Sequence, residues 1–365
     1  MAPSVSEIVH HESPVPTNNP KKWHRVDLSN KYPPNSNLEE RLEQHQPFEH
    51  VDPGSRADPT LPRLLSPNTK VKHLSPYIGT ELSGIQLSQL TKEGLDELGL
   101  FVAQRKLVIF REQDFQDLPP EKQVAIAANG VSLTLEGFTQ SHFGVPHLHA
   151  TLPNIEGHPA YVNLLRQPGK RNINDYFIDT FLSYAFWHSD VSYEPQPPST
   201  TFFWPLDQPT VGGDTLFLST TEAYNRLSPE FQKRLVGLKA LHSGVAQVEE
   251  SRRSGGAVRK EPVEAVHPVI RVHPVTGEKS IFVNPAFTRH IVGLKKEESD
   301  ALLKFLYDHI AKGADFQVRA RHEPGSVIIW DNRVTNHSAV PDYGKDVRRH
   351  NLRLTPLGEV PIPAQ

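Results

Sequence analysis

The sequence predicts a mainly β fold with peripheral helices, closed as a double-stranded β-helix, or jelly roll. Short apolar runs of strand length recur from about residue 70 to residue 355. Gly- and Pro-rich turns separate them, and only a few segments carry helical spacing.

The first 66 residues stand apart. They are rich in Pro, Ser, Asn, His and Glu and poor in apolar side chains, so burial cannot offset the entropy of ordering them. They are expected to form a disordered Pro-rich arm, with a brief helix over Asn37–Gln46. The folded domain is expected to span 67–365. A strand ending in a turn is expected over Gly79–Gly84. Thr91 caps a helix carrying Leu95, Leu98, Phe101 and Val102 on one stripe. Lys106–Arg111, with its apolar run Leu107–Phe110, forms a buried strand, and Pro119-Pro120 opens a second helix. Residues 129–142 and 170–186 show no period and read as loops. Thr200–Leu206 and Asp214–Ser219 are strands joined through the Gly212-Gly213 turn. Ser228-Pro229 starts a helix running to about Leu238. Strands follow near Val269–Val272 and Ser280–Val283. Leu302, Leu303, Leu306 and Ile310 mark a helix ended by Gly313. Phe316–Ala320, Val327–Trp330 and Arg348–Thr355 complete the strands.

Composition narrows the function. Of 365 residues, 37% are hydrophobic, enough for a full core. The net charge of −3 offers no basic field for nucleic acid. No cysteine is present, which excludes disulfides, zinc-thiolate sites and iron–sulfur clusters. Any metal must therefore sit on His, Asp or Glu, and 19 histidines are available. No apolar run reaches the ~18 residues of a membrane-crossing helix. The N-terminus lacks a signal-peptide pattern, so a cytoplasmic location is expected. A homo-oligomer is left open.

Two imidazoles and one carboxylate can fill one face of an octahedral Fe(II) and leave three positions free. His188-Ser189-Asp190 is a candidate for part of such a set, since alternate residues of a strand share a face. An H-x-D pattern is weak evidence, because about one is expected by chance in a chain this rich in histidine. A second one, His50-Val51-Asp52, lies in the arm and receives no function. From the dyad alone, a structural His–Asp hydrogen bond is the better reading.

The surroundings change that balance. Trp187-His188-Ser189-Asp190-Val191 is followed by Gly212-Gly213-Asp214-Thr215-Leu216 and His273-Pro274-Val275-Thr276-Gly277. Then come Phe282-Val283-Asn284 and Trp330-Asp331-Asn332-Arg333-Val334-Thr335-Asn336-His337, and finally Asp342-Tyr343, Arg348-Arg349 and Arg353. In order and spacing this set resembles the taurine dioxygenase family of Fe(II)- and 2-oxoglutarate-dependent oxygenases, above all its fungal sulfonate dioxygenases. Weaker similarity reaches back to Pro76-Tyr77-Ile78-Gly79, and the arm is not covered.

The resemblance implies that His188, Asp190 and His337 ligate Fe(II), and that Arg349 and Thr215 hold the far carboxylate of 2-oxoglutarate. Arg348 is the competing candidate, since adjacent arginines alternate and only one turns inward. Arg353 corresponds to an arginine near both the co-substrate and the anionic head of the substrate. His149 aligns with a substrate-contacting histidine, with His147 as its rival. Tyr184, Phe287 and Trp330 are expected at the substrate pocket. The implied reaction consumes dioxygen and a small anionic organic substrate, foremost an alkyl sulfonate in sulfonate catabolism. Aryloxyacetates, sulfate esters and secondary metabolites compete as substrates, and a non-catalytic jelly-roll relative is the rival from another class. A zinc hydrolase ranks last because it leaves Arg349 and Thr215 without a task. Leu152, Tyr184 and Gly244 depart from the bacterial pattern, so the pocket is not a taurine pocket in detail. Residues 129–142 and 170–186 match nothing in the family and read as lid loops or translated intron.

Overall fold

The computed structural model describes residues 41–128, 133–134, 137–138, 143–155, 157–169 and 186–365. They fall within one compact unit, Pro34–Gln365. Two sheets frame it. The strands are β1 (Lys70–His73), β2 (Thr80–Ser83), β3 (Leu107–Phe110), β4 (Val162–Arg166), β5 (Thr200–Asp207), β6 (Thr215–Ser219), β7 (Gln317–Ala320), β8 (Val327–Asp331), β9 (Thr335–Ala339) and β10 (Arg349–Leu354). The large sheet runs β1-β2-β3-β8-β5-β10-β4, and the smaller runs β7-β6-β9. All neighbours are antiparallel except β2 and β3. This is the expected jelly roll.

Alternation explains how the layers close. Phe203 of β5 and Ile328 and Trp330 of β8 meet Phe217 of β6 and Ala320 of β7 in one buried cluster between the sheets. Leu218, one residue on, faces the other way. It packs into a second cluster with Leu303, Leu306 and Ile310 of the helix Lys296–Ala311. The helix Lys92–Arg105 starts where Thr91 Oγ1 accepts from Gly94 N at 3.3 Å, and it buries Leu95, Leu98, Phe101 and Val102. No helix among the described residues is long and apolar enough to cross a membrane.

Several expectations need correction. Residues 41–66 do not form an unstructured arm. Pro53, Gly54, Leu61 and Leu64 are buried, and Asp52 caps a 3-10 turn at Pro53–Arg56. Phe48 and Gln196 exchange two hydrogen bonds of 3.0 Å. A few well-placed apolar groups and satisfied backbone atoms suffice to hold this segment, and composition averaged over the whole arm hides them. Residues 41–46 are not helical, and the rest of that expected helix lies outside the described residues. The segment 129–142 includes a small ladder pairing Leu133–Thr134 with Gly137–Phe138, and its remainder up to Ser141-His142 lies outside the described residues. So do residues 170–185, including Tyr184.

His188–Asp190 is not in a strand either. His188 makes an isolated bridge to His337, and the chain then turns at Val191 with φ of 35°. Among the strands that pattern missed is β9. Thr335-Asn336-His337-Ser338-Ala339 carries almost no apolar side chain, so periodicity gives no signal there.

Candidate metal centre and its pocket

The bridge sets the site. His188 N donates to His337 O at 3.0 Å, and His337 N donates to His188 O at 2.8 Å. The two imidazoles stand side by side with centroids 4.2 Å apart. The turn after His188 brings Asp190 against both rings: its Oδ1 lies 4.0 Å from His188 Nε2 and 3.7 Å from His337 Nε2. One donor atom from each of the three lies within 4.8 Å of the others, so the set could hold a metal ion.

A hydrogen bond fixes which atom of His188 is free to ligate. His188 Nδ1 lies 2.7 Å from Phe186 O, a carbonyl that can only accept. Nδ1 therefore carries the proton, and the Nε2 lone pair faces Asp190. Burial lowers the pKa of both imidazoles, so both are neutral at neutral pH, as ligation requires. The His337 ring is held by packing: it stacks on Phe217 at 5.6 Å and leans on Trp330 at 4.9 Å. Burial alone would raise the Asp190 carboxyl. Arg353, which donates to Oδ1 at 2.6 Å, together with His337, His188 and Thr201, more than offsets burial and lowers the pKa to about 2. Asp190 Oδ2 accepts from Thr201 at 2.8 Å.

Asn332 organises these pieces. Its Oδ1 accepts from Asp190 N at 3.2 Å and from Trp330 Nε1 at 3.0 Å, its Nδ2 donates to Thr201 at 2.8 Å, and its carbonyl accepts from Ser189. Thr201 and Asn332 escaped sequence reasoning as site residues. Their types are unremarkable in a strand and a turn, and only the fold brings them under Asp190.

β10 presents Arg349 and Arg353 four residues apart on one face. Arg349 is buried and donates to Gly213 O at 3.1 Å. Arg348 points out and pairs with Asp207 at 3.4 Å. Thr215 lies two residues after Gly213, on the same face of β6 as Phe217, and is bonded to His322. His149 is buried near Arg353. Its Nδ1 accepts from Thr151 N at 3.2 Å and Leu152 N at 3.0 Å, so the proton sits on Nε2. The result is a neutral imidazole that can donate to an anion. His147 is committed elsewhere, donating to Glu194 at 3.0 Å beside Lys260. Phe287 meets the His188 ring edge-on at 6.0 Å. Trp330 belongs to the core behind His337.

Residues 70–355 match the model of the family described as "Taurine catabolism dioxygenase TauD, TfdA family". The chain belongs to that family. Among similar proteins is an alpha-ketoglutarate-dependent dioxygenase of Penicillium expansum, cnsP, 46% identical over 330 residues, 89% of this chain and 85% of the relative. An alpha-ketoglutarate-dependent sulfonate dioxygenase of Saccharomyces cerevisiae is 41% identical over 339 residues, 91% and 79% of the two chains. A solved taurine dioxygenase from Burkholderia xenovorans superposes with a TM-score of 0.63 at 30% identity, over 81% of this chain and 93% of that one. The protein is thus an Fe(II)- and 2-oxoglutarate-dependent dioxygenase. The donor chemistry fits that cofactor: two neutral imidazoles and one ionised carboxylate converge, and no thiolate is present.

Proposed function

We propose that this enzyme oxidises an alkyl sulfonate, with His188, Asp190 and His337 holding Fe(II), Arg349 and Thr215 holding 2-oxoglutarate, and Arg353 and His149 holding the sulfonate. The observation that carries the reading is the shared carboxylate: Arg353 grips the same Asp190 oxygen that faces both imidazoles. An anion drawn to Arg353 is thereby placed next to the metal-binding atoms. The yeast sulfonate dioxygenase supports the choice of substrate class.

Fe(II) with 2-oxoglutarate supplies the means to insert one oxygen atom of O2 into a C–H bond, the other going into succinate as CO2 leaves. The protein's own work is positional. Arg349 offers a planar fork to the distal carboxylate of the co-substrate. His149 Nε2–H and the Arg353 guanidinium hold the sulfonate so that its α-carbon faces the three ligands. Phe287, buried and edge-on to the half-buried ring of His188, forms an apolar wall that limits water. Hydroxylation at the carbon bearing sulfur gives an α-hydroxysulfonate. Its hydroxyl proton leaves and its C–S bond breaks with the electron pair departing on sulfur, which yields an aldehyde and sulfite. Phe287 and Trp330 differ in role here: the first borders the pocket, and the second braces His337. Tyr184 is proposed at the substrate and lies outside the described residues.

The test is sulfite release from a panel of alkyl sulfonates, with sulfate esters and aryloxyacetates alongside, each with and without 2-oxoglutarate. Sulfite stoichiometric with succinate supports the reading. Succinate formed only with the other substrates keeps the chemistry and overturns the sulfonate.

A further inference from the structure

His322 is a buried histidine beside Thr215. It packs its ring on Phe203, with centroids 4.9 Å apart, and its backbone N donates to Asp214 Oδ1 at 3.2 Å. Its Nε2 lies 3.1 Å from Thr215 Oγ1, while its Nδ1 is buried with no hydrogen-bond partner among the described residues. Thr215 faces Ala320 and Ala339 across its two strand neighbours, so both of its cross-strand partners are small.

The proton on this imidazole can be located by elimination. Burial, and after it the charge of Arg349, keeps the ring neutral, so it carries one proton. If that proton were on Nδ1, a buried N–H would point at nothing, and the Thr215 hydrogen would be spent on Nε2. If it is on Nε2, only an acceptor lone pair is left bare, which is the less costly state. Thr215 then accepts from His322, and its own hydrogen is free. We infer that His322 is a positioning residue, whose Nε2–H holds the Thr215 hydroxyl so that it donates to the distal carboxylate of 2-oxoglutarate. This rests on the reading that Thr215 and Arg349 hold that carboxylate. Without His322 the hydroxyl can present a lone pair to the anion instead, which repels it.

Binding of 2-oxoglutarate measured by calorimetry, without oxygen and with Mn(II) in place of iron, tests this independently of turnover. His322→Phe keeps an aromatic ring beside Phe203 and removes the donor. Its dissociation constant is expected to rise about tenfold, the scale of one hydrogen bond to a charged group. His322→Gln, which keeps a donor, should recover part of the loss and serves if the Phe variant does not fold. Thr215→Val should weaken binding by a similar factor, and the double variant no further than either single one. Additive losses would mean that His322 contacts the ligand by itself and would overturn the inference, as would unchanged affinity in His322→Phe. Arg349→Ala separates the levels. Lost affinity there with none lost in His322→Phe overturns this inference alone, whereas unchanged affinity in Arg349→Ala overturns the co-substrate reading beneath it as well.

Discussion

Arg333 and Arg349 are both buried guanidiniums, and they are kept charged in opposite ways. Arg333 sits among acids: Asp331 accepts twice from its side chain, and Asp52 and Glu359 lie on the same nitrogen. Burial works against its charge, yet these carboxylates raise its pKa well above the usual value. His273 and Arg271 extend the same network. Arg349 forms no ion pair with a carboxylate among the described residues. It donates to the Gly213 carbonyl and lies over the Tyr343 ring at 5.9 Å, and burial lowers its pKa. A buried cation whose acids are supplied by the fold is part of the architecture. One left short of acids is prepared for an anion from outside.

The comparison can be broken by removing each cation in turn. Arg333→Ala takes the guanidinium away from two buried carboxylates, Asp331 and Asp52, and from half-buried Glu359, and chemical denaturation should show a loss of about 3–5 kcal/mol. Arg349→Ala should leave the unfolding midpoint of the ligand-free protein unchanged or slightly higher, while 2-oxoglutarate binds roughly a hundredfold more weakly, about twice the free energy of one charged hydrogen bond. A destabilised Arg349→Ala with intact binding would erase the distinction. The same contrast appears in ligand linkage: at a hundred times its dissociation constant, 2-oxoglutarate should add about 2.7 kcal/mol to the wild type and to Arg333→Lys, and little to Arg349→Ala. Asn332→Ala sharpens the picture from beneath the metal centre. It removes the side chain that links Asp190, Thr201 and Trp330, and metal titration should show affinity lowered by about 10–100-fold.

The smallest effect is expected at the N-terminal strap. His45 accepts from Leu148 N at 3.2 Å and lies 5.6 Å from the His147 ring. Burial, then His147 and Lys260, lowers its pKa from 6.5 to about 3, with Glu194 opposing. Its folded pKa is depressed, so the released strap takes the proton first. The docking contribution is therefore complete above 6.5 and is lost as pH falls from there toward 3. Limited proteolysis between residues 41 and 50 should speed up on acidification, and His45→Gln should flatten that dependence.

Much of this was legible before any coordinates. Apolar runs such as Leu107–Phe110 and Val327–Trp330 announce their strands because buried strands need them. Alternation alone requires that only one of Arg348 and Arg349 turn inward, and the register of β10 against β4 and β5 buries Arg349. Motif spacing brings forward His188, Asp190 and His337, but not the way they meet. A positive φ at Val191 and a bridge of one residue leave no periodic trace. The polar strand β9 was invisible for the same reason that it is useful, since side chains that serve a site are not the ones that signal burial. Asn332, Thr201 and His322 act through hydrogen bonds to residues more than a hundred positions away, and no local pattern encodes those partners.

The reciprocal pairing of His188 with His337 also bears on how this protein can change over generations. Because main-chain atoms join the two histidines, their spacing does not depend on the side chains around them, and pocket walls can be exchanged freely to admit new molecules. Length is different. A single residue added or lost inside β9 would rotate the second imidazole to the opposite face and dismantle the centre at one stroke. Diversification should therefore proceed through replacements along the walls and insertions in the outer loops, with the short stretches around the two histidines held to constant length.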